Sequence, residues 1–444
     1  MINEDGALMD AQSLRTRADR YVLGALRRER RVVFTKGSGS RLWDAEGREY
    51  LDAVSGTNGP AMVGHANPHV VAAVSAQMAE LPSTFLIHDS VPVIRFAERI
   101  SEISPTGPAK TFLCPGGGEA VEAAVKLAMR ITGRNEVISL QGAYHGMSLA
   151  TMSLGGLPAL REWVPGGMRW PSFQQAPAPD PYRPVLVSDA DWRPAAAALR
   201  AALDAGTYHQ VAAVILEIVQ GPGGHVELPG DYVREVADIC RERGVLLIVD
   251  EVQTGLARCG ALWACDLHGI RPDIVVIGKA FGGGTPFGAV IVRADLINDE
   301  IEASPWHILT FMNQPLQAAA GNAVLDVVET DQLVDRAVEL GERARARFRE
   351  MAKTYEVIGD VRGPGLFVGV DLVTDRSTRE PASDACTQAW EHAMDIGLIT
   401  WFGGSGNVLK FKPPLTSTDE EIERMLERAE AVIAFVETHV RASS

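Results

Sequence analysis

Short apolar runs, each bounded by glycine, proline or charged residues, recur through the middle of the chain. Three of them lie close together, at residues 245–249, 274–277 and 289–292. Their β-branched content and lack of polar alternation are typical of strands that are buried on both faces. Further strands are predicted at residues 111–114, 136–140 and 212–216.

Segments with helical spacing of apolar residues separate these runs. The clearest follows three consecutive glycines, Gly116–Gly118, where apolar residues recur at positions 120, 123, 124, 127 and 128. Other helices are predicted at residues 11–30, 69–81, 91–103, 195–205, 231–243, 315–331, 332–350, 384–395 and 419–438. Strands alternating with helices predict an α/β fold with a mostly parallel sheet.

The two ends of the chain have a different pattern. Residues 32–55 predict short antiparallel strands around a turn at 44–47, and strands and helices alternate again after residue 331. We therefore predict a large domain at 65–330 and a small α+β domain at 331–444, to which an N-terminal segment, 1–64, contributes. The proline-rich residues 158–184 predict a long surface excursion, over the active site or at a subunit contact.

A carboxylate and an amine follow two neighbouring strands of the predicted sheet. Asp250 ends the first run, and Lys279 follows the second after Gly278. Ligands bind at the carboxyl ends of parallel strands, so we expect both side chains at one site. Pyridoxal phosphate (PLP) needs such a pair, since a lysine binds its aldehyde as a Schiff base and an aspartate keeps its ring nitrogen protonated. If each residue is considered by itself, Lys279 could instead be a solvated loop residue, and Asp250 could be a helix cap.

Two further turns at strand ends suggest contacts with such a cofactor. Gly116–Gly118 open a helix, where backbone N–H groups and the helix dipole form a phosphate cradle. Tyr144 follows the strand at 136–140 and could stack on a flat ring, although packing in the core is the plainer interpretation. His145 beside it is more often a hydrogen-bonded neighbour than a catalytic group.

Composition excludes several classes of protein. The 444 residues are 46% hydrophobic and 22% charged, as in an ordinary globular chain, and the net charge of −15 argues against nucleic acid or an anionic membrane as partner. Five cysteines without metal-ligand spacing indicate reduced thiols in a cytoplasmic protein and no metal site. The acidic N-terminus lacks the apolar core of a signal peptide, and no apolar run is long enough to span a bilayer.

At this point the motifs DEVQTGLARCG and VVIGKAFGGG can be compared with a known family. From about residue 41 to the end of PPLTSTDEEIERML, the chain resembles the class III aminotransferases of PLP fold type I. The resemblance implies a seven-stranded, mostly parallel sheet in the large domain, and PLP as cofactor. The cofactor-binding residues it implies are Gly117, Gly118, Tyr144, His145, Glu217, Asp250, Gln253, Lys279 and Thr310.

The resemblance also implies individual roles. Lys279 would bind the cofactor and move the substrate proton, Asp250 would pair with the ring nitrogen, Tyr144 would stack on the ring, and Gln253 would hydrogen-bond the ring hydroxyl. Thr310 would reach the phosphate of the neighbouring subunit, which implies a homodimer with shared active sites, with a tetramer as an alternative. Similar enzymes read TFGGNP where this chain reads TFMNQP, so two glycines are lost.

Two residues are expected on the substrate side. Glu217 matches a glutamate that pairs with an arginine or an amino group in similar enzymes. Lys410, in VLKFKPPL, lies where dialkylglycine decarboxylase-like members carry a carboxylate-binding arginine. A lysine binds a carboxylate as a point charge and without a bidentate fork, so Lys410 is either a substrate residue or structural.

The family supports several reactions, and the expected one is amino transfer. An amino acid or amine would give its nitrogen to the cofactor, and a 2-oxo acid would collect it by a ping-pong mechanism. The alternatives are an amino-acid racemase or epimerase, an aminomutase or a dialkylglycine-type decarboxylase. Similar racemases carry an aspartate where Pro222 stands, and the decarboxylases tend to have Trp in place of Tyr144; both departures favour the aminotransferase.

Overall fold

The protein was analysed as a computed structural model. The structure describes residues 10–24, 32–56, 58–85, 87–162, 164, 167, 170–184, 191–205 and 210–443. The α-helices of these residues are, in chain order, α1 (Ala11–Tyr21), α2 (Pro68–Glu80), α3 (Val91–Ile103), α4 (Gly117–Thr132), α5 (Leu149–Leu154), α6 (Arg193–Ala205), α7 (Gly230–Arg243), α8 (Asp299–Ala303), α9 (Pro315–Thr330), α10 (Leu333–Met351), α11 (Ser383–Asp395) and α12 (Asp419–Ser443).

The strands fall into a large central sheet and smaller sheets on its flanks. In chain order they are β1 (Phe34–Ser38), β2 (Arg41–Asp44), β3 (Glu49–Asp52), β4 (Ala109–Cys114), β5 (Glu136–Leu140), β6 (Phe173–Ala176), β7 (Val211–Leu216), β8 (Val219–Gln220), β9 (Val226–Glu227), β10 (Leu246–Asp250), β11 (Ile274–Gly278), β12 (Gly288–Arg293), β13 (Ile358–Arg362), β14 (Val368–Asp375), β15 (Glu380–Pro381), β16 (Leu398–Ile399), β17 (Phe402–Gly403) and β18 (Val408–Phe411).

The central sheet has seven strands in the order β4-β12-β11-β10-β7-β5-β6, which confirms the predicted fold. Strands β5, β6, β7, β10 and β11 pair in parallel. β12 is also buried along nearly its whole length, but it runs antiparallel to both β11 and β4. Burial on both faces therefore does not determine whether a strand is parallel or antiparallel to its neighbours. β12 is antiparallel because the connection from β11 is too short for the crossover that a parallel strand needs.

The parallel strands deliver five turns to one edge of the sheet. β4 leads into the glycines at the start of α4, β5 into Tyr144, and β7 into Glu217. β10 ends at Asp250, and β11 ends one residue before Lys279. The predicted convergence of these residues follows from the strand order, because the carboxyl ends of neighbouring parallel strands share an edge.

The N-terminal strands join the C-terminal part of the chain. β1, β2 and β3 form an antiparallel ribbon, and β3 pairs in parallel with β16 through Leu51–Leu398 and Asp52–Ile399. β13, β14, β17 and β18 form a separate sheet, on which β15 pairs with β14. The pairing of β3 with β16 accords with an N-terminal segment that contributes to a small domain, while the domain boundaries at 64 and 330 stay a prediction.

Some predicted elements differ from the observed ones. The helix expected over residues 11–30 ends at Tyr21, and residues 25–31 lie outside the described part of the chain. The proline-rich segment is not wholly irregular, because Phe173–Ala176 pairs with β5 as the edge strand of the central sheet. Edge strands tolerate neighbouring prolines, since one side of the strand donates no ladder hydrogen bond.

Other sequence predictions concern cysteines, metals and membranes. All five cysteines are buried and unpaired. Within the described ranges, no group of three or more His, Cys, Asp or Glu side chains could hold a metal ion. No helix in the described part of the chain has the length and apolar character needed to cross a membrane. The cytoplasmic location stays a prediction.

Helix α10 packs closely against the backbone at Gly365 and Leu366, because its residue at the contact is Gly341. A Cβ at Gly341 would overlap the carbonyl group of Gly365 and lie 2.9 Å from the nitrogen of Leu366. Alanine normally stabilises a helix interior relative to glycine. The close approach reverses this preference, so the contact can be tested by one substitution.

We expect Gly341→Ala to lower the free energy of unfolding by roughly 1–3 kcal/mol, as overpacking of a core does. Ala346→Ser, at an exposed position of the same helix, is the control and should change stability by less than about 0.5 kcal/mol. Denaturant unfolding of both variants measures the difference. An unchanged or raised stability of Gly341→Ala would contradict the packing described.

Candidate active site

A cavity of about 1210 Å³ opens beside the carboxyl edge of the central sheet. Its walls include residues of the N-terminal ribbon with Asn58, residues 157–162 with Asp180 and Arg183, and C-terminal residues between Trp390 and Lys410. Tyr144, Gln253, Lys279 and Lys410 are the predicted site residues that line it. These four side chains are therefore brought to one place.

Lys279 is held in an unusual backbone conformation at the end of β11. Its φ of 42° lies in the left-handed region, which a non-glycine residue adopts only when its surroundings impose it. No hydrogen bond or ion pair to its amine is found within the described residues. Burial lowers the pKa of Lys279, and the charges of Asp250 and Glu217 oppose the shift. An amine that loses its proton readily is suited to attack a carbonyl carbon.

Asp250 and His145 form a buried pair below the cavity. His145 Nδ1 lies 2.8 Å from Asp250 Oδ2, and Oδ1 of Asp250 accepts a hydrogen bond from the Val252 N–H at 3.0 Å. Both residues are at most 5% exposed, and His145 Nε2 has no partner in the described structure. His145 thus orients the carboxylate, in agreement with its interpretation as a neighbour and not a reacting group.

Glu217 is engaged by backbone groups. Its two oxygens accept hydrogen bonds from the N–H of Tyr144 at 2.7 Å and of Gly221 at 3.2 Å. Burial raises the pKa of Glu217 to about 7; the charge of Asp250 adds to the rise, whereas His145 and both N–H donors oppose it. Through these hydrogen bonds Glu217 fixes the backbone position of Tyr144. Glu217 is not one of the described residues that line the cavity.

The glycine turn before α4 leaves room for a ligand. Gly116 is the N-cap of α4 and provides no side-chain cap, so the first N–H groups of the helix lack intrahelical partners. A Cβ on Gly116 would meet nothing within 4 Å, and one on Gly118 only Gly146 at 3.9 Å. Gly117 has no such space, because its Cβ would lie 2.8 Å from Val252. An anion placed here would face both the open turn and the positive end of the helix.

Two lysines at the end of β18 approach the cavity from the other side. Lys410 is 2% exposed and lines the cavity, and no partner of its amine is found among the described residues. Burial and the neighbouring Lys279 lower the pKa of Lys410 to about 7, against the charge of Glu217. Lys412 is 1% exposed, and its Nζ lies 2.5 Å from Gln253 Oε1.

Thr310 lies apart from the other predicted residues. It is exposed and is not among the described residues that line the cavity. The loop that carries it keeps a glycine-like conformation, because Asn313 has a φ of 49°, and asparagine adopts this region more readily than most residues. Asn313 also exchanges hydrogen bonds with Leu113 of β4, at 3.1 and 2.9 Å. Asn313 thus adopts, at one of the two positions where similar enzymes carry glycine, a backbone conformation that favours glycine.

Some residues around the cavity were not predicted from the sequence. Lys412 was not predicted as a site residue. The signal was its spacing of two from Lys410, because residues two apart in a strand lie on the same face. Arg183 and Arg362 also line the cavity, and both bind the buried carboxylate of Asp371. No local pattern identifies these arginines, since their common partner lies far away in sequence from Arg183.

The residues present fit pyridoxal phosphate. The Lys279 amine, which has no partner within the described residues, suits its aldehyde. The buried Asp250 carboxylate suits a protonated ring nitrogen, and the open glycine turn suits its phosphate. Tyr144 and Gln253 add an aromatic ring and an amide at the wall of the same cavity.

Comparison with known proteins agrees with this chemistry. The family described as Aminotransferase class-III matches residues 25–433. A leucine/methionine racemase from Thermococcus litoralis is 35% identical over 410 residues, 91% of each chain. A 5-aminovalerate aminotransferase from Pseudomonas aeruginosa is 36% identical over 403 residues, 89% of this chain and 92% of the relative.

A solved structure is also similar over nearly the whole chain. The omega transaminase from Pseudomonas jessenii in complex with PMP has a TM-score of 0.91 and 25% identity, covering 97% of this chain and 99% of that one. The predicted family, fold and cofactor are thus confirmed. The chain belongs to the class III aminotransferases, enzymes that depend on pyridoxal 5′-phosphate.

Proposed function

We propose that this protein moves an amino group from an amino acid or amine to a 2-oxo acid by a ping-pong mechanism. The observation that carries the proposal is the Lys279 amine, which lines the cavity, has a lowered pKa and has no partner within the described residues. When bound, pyridoxal phosphate supplies an electron sink for negative charge at the substrate Cα. Lys279 would then be the group that takes the Cα proton and returns it to the carbon of the cofactor's former aldehyde group.

The other residues position the reacting groups. Asp250, oriented by His145, would hold the proton on the ring nitrogen, and the N–H groups of Gly117 and Gly118 would bind the phosphate. Tyr144, whose backbone is fixed by Glu217, would pack on the ring, and Gln253 would hydrogen-bond the ring oxygen. These roles are supported by the hydrogen bonds of Asp250 and Glu217 and by the open turn at Gly116.

Racemisation is the second candidate, favoured by the similarity to a racemase. A racemase is helped by a second proton-transferring group on the face of the substrate opposite the lysine. Pro222, which lines the cavity, stands where similar racemases carry an aspartate, and proline cannot move a proton. The departure supports amino transfer over racemisation.

An amino donor added without a 2-oxo acid should therefore bleach the visible band of the yellow holoenzyme and release one equivalent of product per active site. The reason is that amino transfer stops half-way when no acceptor collects the nitrogen. Absorbance and product analysis measure both. Lys279→Ala is the control and should lack the band. A persistent band with loss of substrate chirality, or with release of carbon dioxide, would contradict amino transfer.

We further propose that Lys410 binds the carboxylate of an amino-acid substrate. Its amine is buried and unpartnered within the described residues, so it can gain a charged partner without breaking another interaction. Its pKa of about 7 means that the free enzyme carries the ammonium form below this pH and loses it above. Carboxylate binding should therefore weaken as the pH rises through about 7.

The pH dependence of the KM for an amino-acid donor tests this role. In the wild type, KM should rise by up to about tenfold per pH unit above the pKa, because only the ammonium form binds. Lys410→Arg stays charged and should remove this dependence. Lys410→Met should raise KM by roughly ten- to a hundredfold at low pH, the range for a lost charge-assisted hydrogen bond. The same pH dependence of KM in Lys410→Met would assign the effect to another group.

We also propose a homodimer in which Thr310 reaches the phosphate bound to the partner. Exposed apolar side chains lie on two segments of the chain: Ile308 and Phe311, close to Thr310 in sequence, are 58% and 59% exposed, and Phe85 and Ile87, close to Thr84 in sequence, are 63% and 71% exposed. The Thr84 N–H donates to Gln314 Oε1 at 3.1 Å and so joins the two segments. An apolar surface of this kind is typical of an interface, and a second copy would cover it.

Mixing two variants tests whether Thr310 acts across the interface. Thr310→Val alone should weaken PLP binding about tenfold, as expected for one lost hydrogen bond to a charged group. After co-refolding with Lys279→Ala, mixed dimers contain one site with both native residues, so affinity and activity at that site should return. If Thr310 acts within its own subunit, no mixed site is native and nothing returns. Sedimentation gives the oligomeric state of each sample.

A further inference from the structure

Lys412 contacts the side chain of Gln253, and the proposed mechanism gives Lys412 no role. It follows β18 and is 1% exposed, and its Nζ lies 2.5 Å from the side-chain oxygen of Gln253. Gln253 lines the cavity, whereas Lys412 is not among the described residues that do so. The contact that links the Lys412 amine to the cavity is therefore the one with the amide of Gln253.

The surroundings hold both side chains in place. The Lys412 N–H donates to the carbonyl of Ala53 at 2.8 Å, its carbonyl accepts from Ser55 Oγ at 2.7 Å, and its amine lies 4.9 Å from the ring centre of Phe367. On the other side, Gly221 packs against the Gln253 amide, since a Cβ there would lie 2.7 Å from its Cδ. The amide is therefore confined between Lys412 and a glycine.

The charges near Lys412 are mostly of its own sign. Burial lowers its pKa well below the ordinary value; Lys410, Lys279 and Arg258 lower it further, and Glu217 alone opposes them. No carboxylate is bonded to Lys412 within the described residues. A buried ammonium in such surroundings would be costly without a negative group nearby. The ionised ring oxygen of the cofactor would supply that charge on the far side of Gln253.

We propose that Lys412 is a positioning residue that fixes the Gln253 amide, so that its N–H₂ group donates to the ring oxygen of the cofactor and stabilises the ionised form of that oxygen. Lys412 occupies the amide carbonyl, which leaves only donors for the cavity. Without Lys412 the amide can turn and present its carbonyl, which repels an ionised oxygen. The inference rests on the proposed contact of Gln253 with the cofactor.

The pH titration of the visible band of the holoenzyme tests the inference. Lys412→Met removes the donor that orients Gln253, so the midpoint of the titration should rise by about one pH unit, a tenfold change in proton affinity. Gln253→Leu should raise it by a similar amount. The double variant should show no more than the Gln253→Leu shift, because both changes remove one interaction.

Each other outcome has a definite meaning. Lys353→Met, at a side chain that is 73% exposed, is the matched control and should leave the midpoint unchanged. Additive shifts in the double variant would overturn the inference, because Lys412 would then act by its own charge. A shift in Gln253→Leu without one in Lys412→Met would overturn it too, while the Gln253 contact stands. No shift in either variant would remove the proposed Gln253 contact as well.

A second substitution guards against loss of folding. Should Lys412→Met fail to fold or to bind PLP, Lys412→Gln keeps a polar side chain but is too short to reach Gln253 in the same way. It should give the same upward shift of the midpoint. An unchanged midpoint in folded, PLP-loaded Lys412→Gln would overturn the inference, and thermal unfolding of the holoenzyme shows which samples qualify.

Discussion

The site depends on keeping one amine buried, close to carboxylates, and free of a permanent partner. A lysine in water or in an ion pair holds its proton too tightly to attack a carbonyl carbon. Lys279 avoids both conditions: burial lowers its pKa, and the nearby Asp250 and Glu217 are held by His145, by Tyr144 and by other backbone N–H groups. The hydrogen bonds of the neighbours thus keep the lysine unpaired.

The sheet is the reason why this arrangement can be built. Strand ends are fixed by ladders of backbone hydrogen bonds, so residues just beyond them are placed more firmly than loop residues. Five turns meet at one edge, and the cavity lies beside them. The basic side chains of Lys410, Lys279 and Arg258 lie close enough to Lys412 to lower its pKa, and Lys279 also lowers the pKa of Lys410. A ligand that carries a phosphate and an ionised oxygen would relieve this repulsion.

The site residues that could be predicted from the sequence are those whose placement depends on a local pattern or on the end of a strand. Asp250 and Lys279 could be placed together because each directly follows an apolar run, and Gly116–Gly118 because they open a helix. Contacts between distant segments could not be predicted, as in the pair of Lys412 and Gln253, which are 159 positions apart. The edge strand at Phe173–Ala176 was missed because prolines flank it, and its pairing with β5 overrides local propensity.

A substrate carboxylate bound to Lys410 would separate the two candidate reactions. A free amine at Lys410 could accept a proton from the substrate, and a free ammonium could donate one, so either form could help racemisation, whereas an ammonium paired with the substrate carboxylate is held at that carboxylate. With a pKa of about 7, the free enzyme holds both forms near neutrality. A bound carboxylate stabilises the ammonium, because an opposite charge at close range raises the pKa of a lysine. An amino-acid substrate that holds the Lys410 ammonium at its carboxylate would therefore leave Lys279 to move the proton alone, as amino transfer requires.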